Sequence, residues 1–168
     1  MSEFSRMIDA RHLPQGELAY TATEAERAEL AKRFLLVRID RFESTVTLIA
    51  EGESIRAKGR ISADLVQSCA VSGDDLPARI NEPFALRFVP EGADLSAEEE
   101  IELTAEELDE IVMDDTQFDL GEALAQTLAL AIDPYAVGPN AEKARREAGL
   151  LGEGESGPFA ALKGLLKE

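Results

Sequence analysis

Residues 55–90, IRAKGRISADLVQSCAVSGDDLPARINEPFALRFVP, alternate in a way that decides the fold. Ile55, Ala57, Gly59, Ile61, Ala63, Leu65, Gln67, Cys69 and Val71 fall on one parity, and Arg56, Lys58, Arg60, Ser62 and Asp64 on the other. A half-buried strand has this period of two. Ser72-Gly73-Asp74-Asp75 supplies turn chemistry, and alternation resumes with Ile80, Phe84, Leu86 and Phe88 against Arg79, Asn81 and Arg87. The stretch reads as a β-hairpin. Glu82 interrupts the apolar face and Pro83 has no amide hydrogen to donate, so the second strand is expected at a sheet edge or with a bulge at that point.

Working outward toward the amino terminus, residues 36–50 also read as extended. Val37 and Ile39 share one parity, whereas Phe42, Val46, Leu48 and Ala50 share the other. The apolar face therefore changes register near Asp40-Arg41, which predicts a bend or bulge there. Glu51-Gly52-Glu53 makes a tight connection, so three antiparallel strands are expected in a meander. Upstream, Thr23 and Glu26 have the spacing of a capping box before Ala25, Ala28, Leu30, Ala31 and Phe34. A short extended region precedes that helix and carries His12, the only histidine, with no second soft ligand or nucleophile near it. His12 reads as a solvated or hydrogen-bonded loop residue.

Working outward toward the carboxyl terminus, residues 88–142 contain sixteen carboxylates and no Lys, Arg or His. Glu98, Glu99, Glu100, Glu106 and Glu107 form its densest part. Such a run reads either as a solvated surface or as a docking face for a basic partner. It lacks the alternating Asp pattern with a central Gly and closing Glu that calcium loops need. No nucleophile or oxyanion motif accompanies its carboxylates, so no catalysis is expected. A second helix is predicted over residues 120–132, capped by Asp119 with Glu122 three positions on, and carrying Leu120, Leu124, Leu128 and Ile132 at i+4 spacing. Asp133-Pro134 stops it. A loop and a short basic helix with Lys143, Arg145 and Arg146 follow.

Composition bounds the class. The 168 residues are 45% apolar, enough for one domain with a core of its own. Thirty-four Asp and Glu against seventeen Lys and Arg give a net charge of -17, which disfavours nonspecific adhesion to nucleic acid or anionic membranes. One cysteine excludes an intrachain disulfide. The polar start MSEFSRMIDARHL lacks the apolar core of a signal peptide, and no apolar run nears the roughly 18 to 20 residues of a membrane span. A cytoplasmic protein is expected. The fold class that follows is α+β: a curved antiparallel β-meander, open or closing toward a small barrel, with helices packed on it and a mobile C-terminal tail. Residues 1–148 are expected to form a single domain, 149–157 a flexible linker, and 158–168 a short apolar docking motif. In that motif Phe159, Leu162 and Leu166 share one face at i+3 and i+4 spacing. So short a helix does not hold alone in water, and docking on a partner is the expectation.

The sequence around Leu65-Val66-Gln67-Ser68-Cys69, the continuation EPFALRFVP, the run Phe118-Asp119-Leu120-Gly121-Glu122, the exit LALAIDPY and the terminal PFAALKGL together resemble the YceD family. Its members are called large ribosomal RNA subunit accumulation proteins. The resemblance implies a bacterial cytoplasmic factor that supports accumulation or maturation of 23S ribosomal RNA, with a gene commonly next to that of a large-subunit ribosomal protein. It implies no catalysis. Many members carry C-x-x-C at the hairpin and further cysteines after the helix, an arrangement like a zinc ribbon. Here the second hairpin position is Ser72, and no Cys or His follows Pro134. Zinc is therefore not carried over, no cofactor is expected, and Cys69 reads as a small buried hydrophobe. Two partner readings follow. In the first, the acidic run holds a basic large-subunit ribosomal protein or assembly factor. In the second, the Arg56, Lys58 and Arg60 side of the strand touches the 23S rRNA precursor directly.

Overall fold

The structure is a computed structural model and describes residues 3–92 and 109–149. Its centre is a meander of three long antiparallel strands, β3 (Arg38–Glu51), β4 (Ser54–Ser68) and β5 (Asp75–Val89). Gly52 opens the β3–β4 connection with φ +63°, the positive φ that tight hairpin turns demand. The expected register shift is present: Ile39 pairs with Leu65 but Arg41 with Asp64, which leaves Asp40 as the extra residue of a bulge. Because of it, Ile39 and Phe42 both point into the core despite their opposite parity.

At Gly59 the neighbouring strand comes unusually close. A Cβ there would overlap the Thr45 carbonyl oxygen, so only glycine lets β3 pass at that distance. Phe84 lies opposite Gly59 on β5 and is buried. The β4–β5 register runs unbroken through Pro83, so no bulge forms. From Asp75 to Ala85, β5 has no second partner among the described residues, which is the edge position its prolines suit.

Two elements enlarge the meander beyond its sequence reading. The β2 strand (Glu17–Thr21) pairs antiparallel with β3, and β6 (Asp109–Val112) pairs parallel with the end of β5. The order is β2-β3-β4-β5-β6, an open sheet whose last pair is parallel, where a purely antiparallel one was expected. A parallel pair needs a long crossover, and residues 90–108 supply it. A separate ribbon joins β1 (Met7–Asp9) to β7 (Gln117–Asp119).

Helices cover one face. In α1 (Glu24–Arg33) both halves of the Thr23–Glu26 capping box are formed, and the helix packs on β3 through Leu30 and Ala31. In α2 (Leu120–Ala131), Leu120, Leu124 and Leu128 are fully buried over β4 and β5. Each such side chain contributes roughly 1.5–3 kcal/mol by leaving water. Phe88 stacks on Phe118 with centroids 4.1 Å apart, tying the sheet to β7. A third helix, α3, spans Ala141–Glu147. His12 ends a 3-10 turn with its side chain 82% exposed, as a solvated loop residue should. No helix among the described residues is long and apolar enough to cross a membrane. The expected linker and docking motif lie outside the described residues, apart from Gly149.

Candidate functional site

The uncovered face of the sheet carries the polar parity of β3, β4 and β5, and the strand registers bring six cations onto it. Arg56 stands directly opposite Arg87, Lys58 opposite Ala85, Arg60 opposite Pro83, and Arg41 and Arg79 flank Asp64. Most of these charges are committed. Arg41 and Arg79 each donate through Nε to Asp64 at 2.8 Å, and those two guanidinium groups hold its carboxyl below the ordinary range, Arg41 the more. Arg60 donates to the Asn81 side chain at 3.0 Å. Arg56 Nε lies 2.8 Å from Glu51 Oε1, although the angle is not that of a hydrogen bond, and Arg87 faces Glu110 at 3.7 Å. Of the three residues singled out from sequence, Lys58 and Arg60 are exposed with no ion-pair partner among the described residues, and Arg60 is held by the neutral Asn81 side chain. Arg41, Arg79 and Arg87 share this face through strand parity, the same signal that grouped the other three.

The acidic run meets the fold at the sheet's far end. It leaves β5 at Val89 and returns as β6 beside Leu86, so both of its ends are fixed at one edge. Glu98, Glu99, Glu100, Glu106 and Glu107 lie outside the described residues. Asp109 and Glu110, which follow them directly, are exposed on β6.

Phe34, Leu35 and Leu36 belong to a feature that the sequence did not disclose. They end α1 in a Schellman motif: the Leu36 amide donates to Ala31 O at 2.8 Å and the Leu35 amide to Lys32 O at 3.2 Å. The position between them calls for glycine, yet Leu35 sits there at φ +56° and is 89% exposed. A left-handed leucine costs about 1–2 kcal/mol, and its exposure recovers none of it. With Ala129, Ile132 and Pro134 from the end of α2, these three line an open groove of about 390 Å³, floored by Gln67 and Ser68. Leu130 and Tyr135, adjacent in sequence to groove residues, are 80% and 81% exposed.

Cys69 opens the β4–β5 turn and is buried, as expected, but its sulfur is a hydrogen-bond acceptor as well as an apolar filler. The amides of Val71, Ser72 and Gly138 donate to Sγ at 3.5, 3.3 and 3.3 Å. Hydrogen bonding by Ser72, helped by the Gly138 and Val71 amides, pulls the thiol down to about 6. Two further bonds staple the turn to the segment after α2, Ala70 N to Ala136 O at 2.9 Å and Asn140 Nδ2 to Asp74 Oδ2 at 3.1 Å. The β4–β5 turn and the segment after α2 are thus brought together by hydrogen bonds. Ser72 Oγ donates to Asp74, no group of three His, Cys, Asp or Glu side chains is gathered among the described residues, and one thiol does not fit a zinc site.

No curated protein and no solved structure matches the chain significantly. Residues 57–166 match the family described as large ribosomal RNA subunit accumulation protein YceD, a span that takes in the β4–β5 hairpin, the acidic crossover, α2, α3 and the terminal motif. That span exceeds half of the chain, and the protein therefore belongs to the YceD family.

Proposed function

We propose that this protein is a noncatalytic factor in large-subunit biogenesis that holds a basic ribosomal protein or assembly factor on its acidic crossover. The family is named for accumulation of large-subunit ribosomal RNA. The observation that supports capture of a protein, not of RNA, is the distribution of charge. The crossover has no cation of its own, whereas nearly every cation on the sheet face is paired with a carboxylate or amide. A dense negative field speeds encounter with a cationic partner and is screened over about 8 Å at physiological salt.

The test is the association rate with purified basic large-subunit ribosomal proteins at two salt concentrations. Replacing Glu98, Glu99, Glu100, Glu106 and Glu107 by Gln is expected to slow association severalfold at low salt and to change it little at high salt. An unaltered rate would make the run a solubilising surface only.

Direct contact with the 23S rRNA precursor is the second reading, favoured by the convergence of Arg41, Arg56, Lys58, Arg60, Arg79 and Arg87 on one open face. Reversing Arg56, Lys58 and Arg60 to Glu should then weaken binding of an rRNA fragment and lower its salt slope by about one per lost phosphate contact. The Arg56–Glu51 pair and the Arg60–Asn81 bond hold two of the three side chains, so a weak effect is expected.

A further inference from the structure

We infer that the groove between the ends of α1 and α2 is the seat of this chain's own terminal motif, with Phe159, Leu162 and Leu166 inserted beside Leu35 in the same molecule. Leu35 is the first reason. The backbone of Leu35 closes the turn, but its side chain is held in the left-handed region almost fully exposed, where it forms one wall of a groove that also contains Phe34, Leu36, Ile132 and Pro134. The second reason is reach. Gln67 and Ser68 of the groove floor adjoin Cys69, whose sulfur is bonded to Gly138 just before α3. A seven-residue helix advances the chain only about 10 Å, and the ten residues from Gly149 to Phe159 extend up to about 35 Å, so the motif returns to the groove easily.

Complementarity is the third. Among the described residues Asp133 is the only ionisable one lining the groove, and the motif's sequence carries Lys163 and Lys167 next to Leu162 and Leu166. A tether of this length also holds the motif at millimolar effective concentration, enough for a short stripe with weak intrinsic affinity. The sequence alone pointed to a separate partner for this motif; the groove supplies a seat within the chain, and any partner that takes the motif must first displace it. This inference is independent of what the acidic crossover binds.

Nuclear Overhauser contacts in the isotope-labelled full-length protein test it. Contacts from the Phe159 ring to the methyls of Leu35 and Ile132 are expected, unchanged on tenfold dilution. Phe159→Asp should shift the Leu35 and Ile132 methyl resonances, and Leu35→Gly, which suits the turn, should lower amide protection of residues 159–166 at least severalfold. Absence of contacts in the parent protein overturns the proposal. So do contacts seen only between differently labelled chains, which would assign the groove to a second copy, and so does protection that Leu35→Gly leaves unchanged.

Discussion

Cys69 shows how much one side chain's role depends on residues far from it in sequence. Its burial was legible, because it continues the parity of Ile61 and Leu65. The donors that surround its sulfur were not legible, since one of them belongs to Gly138, beyond the whole of α2. The consequence is a pH dependence. A thiol has an unfolded pKa near 8.5, and here the folded value is lowered to about 6. Between those two values the unfolded chain binds more protons than the folded one, so stability rises with pH across that window and is lost as pH falls through the folded value. Denaturant midpoints measured from pH 6 to 9 should therefore climb more in the parent than in Cys69→Ala. Parallel profiles would mean that the sulfur stays a thiol throughout. Leu35 is the opposite case. Nothing in a run of helix-forming residues announces that a leucine will take the position glycine usually fills, because that geometry is set by where α1 must stop against β3.

Among the elements, those with local signals were readable and those with distant partners were not. The capping box of α1, the Asp119 cap of α2, the bulge at Asp40 and the β4–β5 hairpin each follow from residues a few positions apart. The β2 strand is five residues long and β6 four, and each is defined by the strand it joins. The amino-terminal segment is the clearest case of long-range definition. Asp119 caps α2 by accepting from the Glu122 amide at 3.1 Å, and also accepts from the Arg6 amide at 2.7 Å and the Ser5 hydroxyl at 2.6 Å. That places Phe4 against Phe42 in the core, with ring centroids 5.2 Å apart. Asp119→Ala should cost more than the roughly 0.5–2 kcal/mol of an ordinary cap, about 2–4 kcal/mol in urea unfolding, because charged hydrogen bonds to the segment go with it. Gly121→Ala tests the same joint from the other side. Alanine normally stabilises a helix interior by about 1 kcal/mol over glycine, but here its Cβ would overlap Phe4 O and come within 2.7 Å of the Arg6 amide. Net destabilisation and faster amide exchange at residues 4–8 are expected; a net gain would show that the segment does not lie across α2.

At the scale of the whole molecule, charge is the dominant unbalanced quantity. The described surface carries many ion pairs, among them Arg33 with Glu3 and Glu122 and Arg6 with Glu26. Exposed or half-exposed pairs of this kind contribute a median of about 0–1 kcal/mol each, and salt weakens them. Against them stands a net charge of -17, whose self-repulsion salt also weakens. The two effects have opposite signs, so the salt dependence of stability shows which is larger. Opposite charges on the sheet face lie within a few ångströms and are screened little at moderate ionic strength, whereas the excess carboxylates act over distances comparable with or longer than the Debye length of about 8 Å. Screening should therefore remove more repulsion than attraction. The melting temperature is expected to rise as sodium chloride goes from about 10 to about 150 mM, where the Debye length falls from about 30 to about 8 Å. The five-residue Glu→Gln variant, with less repulsion to screen, should show a smaller rise. A melting temperature that falls over this range would mean that the paired arginines of the sheet face outweigh the acidic excess, and that the crossover's carboxylates are too dispersed to generate the field on which capture of a basic partner depends.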